Sequence, residues 1–439
     1  MRAAASGLVA ALLAVSCGGD DSDNPGRKSS DAGGAYASRT DGRGWAVSDE
    51  GLFGHRRGSA PPAASGTMGG MGYAQGSEAA PLQTGVLIHE RDRATPGLNL
   101  MNSGDAAEAV LTTNGGEVVH VWKLPYEKID GAPPLQTPFQ IPWRRVHLRP
   151  DGSLLAIHSD AALVHLDRDS NVRWTLFDRV HHDLDVREGP GGPTTFLLSR
   201  VERVVPSVNP DEPVLDDLVI EVDGAGRVQR RVSLWTAFEA SEWGSMLERL
   251  NQREGDVMHA NSIDILDEGE AAAFQDPAVV AGHILVCMRD LDLLVVLDFS
   301  AEKLVWLSPG PAGRSWRGPH DPTFTDAGAG NGTLTGSPAG PRELLLFDNL
   351  GGPASNSRIL RFPPGAASFA WSWQGSPPES FSSVFCGTVQ ALPTGHVLAT
   401  ESCHGRAVEI DPASGDIVWE FVSDRVAGDH DELIAALFE

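Results

Sequence analysis

Six times between residues 114 and 419 the chain repeats one short unit: a tight turn, two or three alternating residues, then a bulky side chain. The copies run Asn114 to Trp122, Asp169 to Trp174, Asp223 to Arg230 (Arg in place of Trp), Ala301 to Trp306, Gly365 to Trp371 and Ser414 to Trp419. The markers are 52, 56, 76, 65 and 48 residues apart, room for about four strands each. Between them recurs a strand, a turn and a second strand, as in Val146 to Leu155 and Val389 to Leu398. With 49 Gly and 30 Pro in 439 residues, turns outnumber long helices. Six copies of a four-stranded unit predict an all-β six-bladed propeller over residues 85–439. A β-sandwich would not need one signature six times. The longest interval holds the one helix-like stretch, Leu234 to Arg253, expected as a loop excursion at the rim.

Residues 1–16 read as a signal peptide. Arg2 is followed by the apolar run Leu8 to Val15, too short to span a bilayer, and Ala14-Val15-Ser16-Cys17 matches a lipobox. Cys17 is therefore the expected lipidation site. Residues 17–84, mostly small and polar, are expected to be a disordered tether. This organisation predicts a lipoprotein held at a bacterial membrane, periplasmic or cell-surface. A formal net charge of −25 argues against nucleic-acid partners.

Export permits disulfides. If Pro393 faces His396 across a two-residue loop, Cys386 and Cys403 fall opposite each other at a non-hydrogen-bonded position, and a cross-strand disulfide is expected. Cys287, in the apolar run Ile284 to Met288, is expected to be a buried, inert thiol.

A propeller brings the starts of its innermost strands together at one mouth of the central channel. Three consecutive blades place histidine there: His181-His182-Asp183, Met258-His259-Ala260-Asn261, and Pro319-His320-Asp321-Pro322. The sequence leaves open which of His181 and His182 faces the channel; Asp183 follows His182 as Asp321 follows His320, which favours His182. Arg289, closing the second strand of the blade opened by His259, supplies a permanent positive charge. Single histidines are most often solvated or core side chains, but three at one blade position point to an anion site. A three-histidine metal site is disfavoured because Arg289 would repel a cation. No Gly-rich phosphate loop occurs, and neither metal nor cofactor is called for.

His259 to Asp264, Arg289, His320 to Thr323 and Leu346-Phe347-Asp348-Asn349 together resemble the motif set of the bacterial aryl-sulfate sulfotransferases, over roughly Gly85 to Val422. The resemblance implies a six-bladed periplasmic propeller. Such an enzyme moves a sulfuryl group from a phenolic sulfate donor to a phenol acceptor through a sulfo-histidine, without a nucleotide sulfate. By motif, His320 would be the nucleophile, and His259 and Arg289 would hold the sulfate oxygens. His182 would complete the cradle or protonate the departing phenolate, with Asn261 and Asn349 as substrate-binding residues. Sulfuryl transfer, by analogy with phosphoryl transfer, asks mainly for positioning and charge stabilisation. The competing functions are a non-catalytic binding propeller and an aryl sulfate hydrolase. A quinoprotein dehydrogenase is less favoured, since ligands for its metal and quinone are not evident.

Overall fold

The computed structural model describes residues 83–137, 140–189, 192–250, 253–311, 316–326 and 342–425, with the strand segments 10–11 and 436–438. Apart from residues 10–11, the expected signal peptide of residues 1–16, Cys17 and nearly all of the expected tether lie outside the described residues.

Six sheets follow one another along the chain. The first blade comprises Leu98–Ser103, Glu108–Thr113 and Val118–Lys123, and the second runs from Trp143–Leu148 to Val172–Phe177. The third runs from Val180–Arg187 to Val228–Ser233 and the fourth from Ala260–Ile265 to Lys303–Ser308. The fifth runs from Pro319–Asp326 to Trp371–Trp373 and the sixth from Thr388–Ala391 to Ile417–Val422. The architecture is a six-bladed β-propeller, as the repeat predicts. Each marker residue lies on the last strand named for its blade.

The burial pattern explains the sequence texture. Middle strands are sandwiched between neighbouring blades, so they read as continuous apolar runs: every residue of Leu154–His158, Ile284–Met288 and Ala162–Leu166 is buried. Outer strands meet solvent and alternate, as in Val118–Lys123. Apolar clusters fill the seams between blades, for example Leu266, Leu285, Leu344, Trp306 and Trp316 between the fourth and fifth. The stretch Leu234 to Arg253 becomes one short helix, Leu234–Glu239, and a 3-10 turn, Gly244–Leu250. Ser233 caps the helix by accepting from the Thr236 amide.

The marker unit staples one blade to the next. In five blades a marker-strand side chain donates to a carbonyl in the following blade's last turn. The pairs are His120 Nε2 to Arg168 (2.8 Å), Trp174 Nε1 to Gly224 (3.1 Å), Arg230 Nη2 to Ser300 (2.9 Å), Trp373 Nε1 to Gly415 (2.9 Å) and Trp419 Nε1 to Asn114 (2.9 Å). Arg230 thus does with a guanidinium what tryptophan does elsewhere. Gly226 sits beneath Trp174 at φ +80°, where a Cβ would lie 2.6 Å from the indole. A bulge beside the marker fixes its place in four blades: Trp174 pairs with His165, Arg230 with Glu221, Trp306 with Val296 and Trp419 with Glu409, while in the fifth blade Trp373, two residues past the marker Trp371, makes the bond. In the first blade that place belongs to His120, paired with Leu111, not to Trp122.

The last hairpin corrects one expectation. Ala391 pairs with Val397 and Thr388 with Thr400, one residue away from the predicted register. The loop has three residues, closed by Leu392 N–H to His396 O (2.9 Å) and Gly395 N–H to Leu392 O (2.8 Å), with Gly395 at φ +85°. Cys386 lies before the first strand and Cys403 in the 3-10 turn Ser402–His404, so they are not a cross-strand pair within the ladder. The Cys403 side chain lies outside the described residues. Cys287 is a free, fully buried thiol whose ionisation burial pushes far up.

Candidate active site at the channel mouth

The innermost strands of the second to fifth blades each start with a bulge: at Trp143/Arg145, His181/Leu184, Ala260/Ser262 and His320/Thr323. Three of these bulges contain or adjoin a non-glycine residue in the left-handed region, His182 (φ 54°), His259 (φ 52°) and Asp321 (φ 50°). Such a conformation is costly away from glycine and here re-aims the side chains at the strand start.

Innermost strands have no neighbouring strand on the channel side, and aspartates bind some of their amides instead. Asp183 accepts from Ile263 N–H (2.9 Å), Asp185 from Ile265 (2.8 Å), Asp217 from Ala260 (2.8 Å) and Asp321 from Val389 (3.0 Å). Arg145 ties two of them, its Nε 2.8 Å from Asp183 and its Nη2 3.7 Å from Asp321. The aspartates that follow His182 and His320 in sequence therefore brace the next blade.

His320 is buried. Its Nδ1 lies 2.8 Å from Asn349 Oδ1 and 3.1 Å from Gly318 O. Asn349 donates its amide nitrogen to the carbonyls of Ser383 and Cys386 (2.5 and 2.7 Å), so its oxygen must face the imidazole. Two acceptors at Nδ1 place the proton there and leave Nε2 with a bare lone pair. Burial first, then the charges of Arg289 and His259, hold His320 well below the ordinary imidazole range, so it is neutral.

His259 is clamped by Asp256, whose carboxylate accepts from its Nδ1 (2.8 Å) and its backbone N–H (3.0 Å). Burial works to raise Asp256, but His259, Arg200 and His181 hold it well below the usual carboxylate range. Arg200 in turn reaches Asp256 at 3.2 Å and Asp160 at 2.6 Å. The His182 ring packs edge-on against His259, centroids 4.7 Å apart. Burial, Arg144, His259 and His181 keep His182 well below the ordinary imidazole range. His181 stands behind it, Nδ1 to Nδ1 at 2.8 Å, with its own Nε2 3.2 Å from Asp217 Oδ1. His182, not His181, is therefore the ring against His259. In strand register His320 matches His181, since each is the last paired residue before its bulge.

Arg289 follows strand Ile284–Met288, its N–H bound to His259 O (3.0 Å) and its guanidinium 2.8 Å from Asp290 and 5.8 Å from the Phe385 ring. Asn261 donates to Pro319 O (2.8 Å) and so steadies the residue before His320. Asn261 and Asn349 both bind protein groups, and what Asn349 does is orient His320. Among the described residues, Nε2 of His182, His259 and His320 are buried without a hydrogen-bond partner. Buried polar atoms in that state mark a place for a ligand's acceptors or donors.

Sequence reasoning missed Arg144, Asp256 and Asp217. Arg144 is buried at the second blade's bulge and its charge acts on His182. Its signal was positional: Trp143-Arg144-Arg145 opens the second blade where histidines open the next three.

The family model described as Arylsulfotransferase (ASST) matches residues 165–424. No curated protein matches the sequence. Among solved structures, a protein of unknown function from Bacteroides caccae is similar at 13% identity, covering 75% of this chain and 94% of its own, with a TM-score of 0.43. A streptogramin B lyase is similar at 10% identity, covering 83% and 95%, with a TM-score of 0.43. The β-propeller domain of Swd1 from Myceliophteria thermophila is similar at 11% identity, covering 80% and 90%, with a TM-score of 0.39.

Proposed function

The chain belongs to the arylsulfotransferase family, and we propose that it transfers a sulfuryl group from a phenolic sulfate ester to a phenolic acceptor through a sulfo-histidine on His320. The observation that carries this reading is the state of His320: a neutral, buried imidazole with its proton held at Nδ1 and a bare Nε2. Nε2 attacks sulfur, the S–O bond breaks and its electron pair leaves on the phenolate oxygen. A second phenol then takes the group, and the N–S electrons return to Nε2. Arg289 and His259 bind the sulfuryl oxygens; a guanidinium grips two at once. His182 gives the leaving oxygen its proton and takes one from the acceptor. Asn349 and Asn261 act by holding His320 and the strand start in place. Neither a nucleotide sulfate nor a cofactor takes part.

The test is phenol release from a chromogenic aryl sulfate with and without a second phenol. Release that rises with acceptor, a sulfated acceptor among the products, and loss of both in a stably folded His320→Ala variant are the expected results. Acceptor-independent release would identify a hydrolase. No release from several donors would leave a non-catalytic binding propeller.

In the same reading residues 1–16 are a leader, Cys17 carries lipid, and residues 17–84 tether the propeller of residues 85–439 to a bacterial membrane, at the periplasmic or cell surface. The lipobox Ala14 to Cys17 supports it. Cys17→Ser is expected to move the protein from the membrane to the soluble fraction; unchanged fractionation would overturn the anchor.

A further inference from the structure

The vicinal pair His181-His182 has a geometry that the transfer scheme above does not need. The two imidazoles meet Nδ1 to Nδ1 at 2.8 Å, so one of those atoms carries a proton and the other accepts it. On its far side His181 Nε2 lies 3.2 Å from Oδ1 of Asp217, an ion-pair contact without hydrogen-bond geometry; Asp217 is fully buried and its other oxygen accepts the Ala260 amide. At the near end His182 Nε2 is buried without a partner and its ring packs against His259. The three groups run in order from a buried carboxylate to the ring that packs against His259.

We propose that Asp217 and His181 are positioning residues that form a proton relay behind His182 and let it serve as acid in one half-reaction and base in the other. The inference rests on the sulfuryl-transfer reading. At rest His181 holds protons on both nitrogens, facing the Asp217 carboxylate and the His182 Nδ1 lone pair, and His182 carries its proton on Nε2. When His320 Nε2 bonds to sulfur and the S–O bond breaks, the Nε2 proton of His182 goes to the departing phenolate. The Nδ1 proton of His181 crosses to Nδ1 of His182. No imidazolate forms, and His182 Nε2 is left as a bare base. In the second half-reaction the acceptor's O–H proton moves to His182 Nε2, its oxygen bonds to sulfur, and the N–S electrons return to His320. The Nδ1 proton goes back to His181. One proton leaves with the first phenol and one arrives with the second.

Burial and the charge of Arg144 pull His182 strongly down, which keeps an extra proton off its ring. The charged and titratable groups facing the pair are Asp160, Asp217, Asp256, Arg144, Arg200 and His259.

The test uses His181→Gln and Asp217→Asn across a series of aryl sulfates graded by leaving-group acidity. Glutamine can hydrogen-bond to both neighbours but cannot carry the proton. In Asp217→Asn the new amide oxygen can still accept from the Ala260 N–H. Relay loss is expected to leave kcat/KM for 4-nitrophenyl sulfate within about 10-fold of the parent. Sulfates of weakly acidic phenols should fall by about 100-fold or more, in the range for acid–base catalysis. The dependence of rate on leaving-group acidity should steepen in both variants while their unfolding temperatures stay close to the parent's. An equal loss across the series, or none, would overturn the relay and leave the transfer reading standing. A parent protein that cleaves no member of the series would overturn both.

Discussion

At the scale of single residues, the site depends on groups that hold His320 rather than touch a substrate. Asp292 is one of them. Its Oδ1 accepts the Gly318 amide at 2.6 Å, and Gly318 O is one of the two acceptors at His320 Nδ1. Burial, then the charges of Asp348 and Asp290, push Asp292 up to about 8. The folded state therefore keeps a proton that the unfolded chain releases near pH 4, and the parent loses stability as pH rises from about 4 to 8. Asp292→Asn can still accept from Gly318 and does not titrate. Its stability relative to the parent is expected to rise across that window and level off above pH 8. A pH-independent difference in unfolding temperature between the two would show that Asp292 is charged when folded. The histidines were legible in sequence because imidazoles at one blade position are hard to explain as packing. Which of His181 and His182 faces the site was not, because the bulge breaks the two-residue alternation by which strand faces are read. Asp217 and Asp256 were hidden for another reason. They act from neighbouring strands, as two among 59 acidic residues.

At the scale of elements, the repeat was readable because each blade needs the same two things, a tight last turn and a side chain that reaches the next blade. Asp167 and Asp223 accept amides two and four residues on and set their turns; Trp174 and Arg230 supply the reach. A one-residue error came where a glycine loop added a residue, in the last hairpin; in the first blade the expected Trp122 lies two residues past His120, which holds the place beside the bulge. The corrected register removes the ladder argument for a Cys386–Cys403 bond, yet both ends lie where such a bond would matter. Cys386 O is one of the two carbonyls that fix the Asn349 amide, and Asn349 fixes His320. We propose the cross-link on that ground and on the export reading. Peptide mapping of protein alkylated before reduction is expected to find residues 386 and 403 joined and Cys287 alone as a thiol. Reduction should then lower turnover more than substrate affinity. Recovery of both residues in alkylated form would rule the bond out.

At the scale of the whole molecule, a propeller must close its ring, and this chain does so from both ends. Ala436–Phe438 pairs antiparallel with Leu98–Ser103, Leu437 opposite Asn102, and so completes the inner edge of the first blade. Gly85–His89 adds a fifth strand outside the last blade, His89 opposite Trp419. Side chains tie the same seam: Arg93 to Asp411 (2.8 Å) and Asp416 (3.1 Å), Arg425 to Asp105 (3.1 Å), Thr95 to the buried Glu409 and Trp419 to Asn114. Exposed ion pairs in such a seam contribute little each. The strand pairings contribute more, because each satisfies backbone groups along an otherwise open edge. A chain ending before residue 436 would leave that inner edge of the first blade unpaired and cost about 1 kcal/mol for each ladder hydrogen bond lost. The expected result is a lower unfolding temperature, with turnover falling as well, because the site histidines come from three blades whose spacing the closed ring maintains. A truncated protein that melts and turns over like the parent would show that Gly85–His89 and the side-chain seam are enough to close the ring. Removing residues 83–89 in place of the C-terminal strand would then be the damaging change, since it opens the seam from the other side.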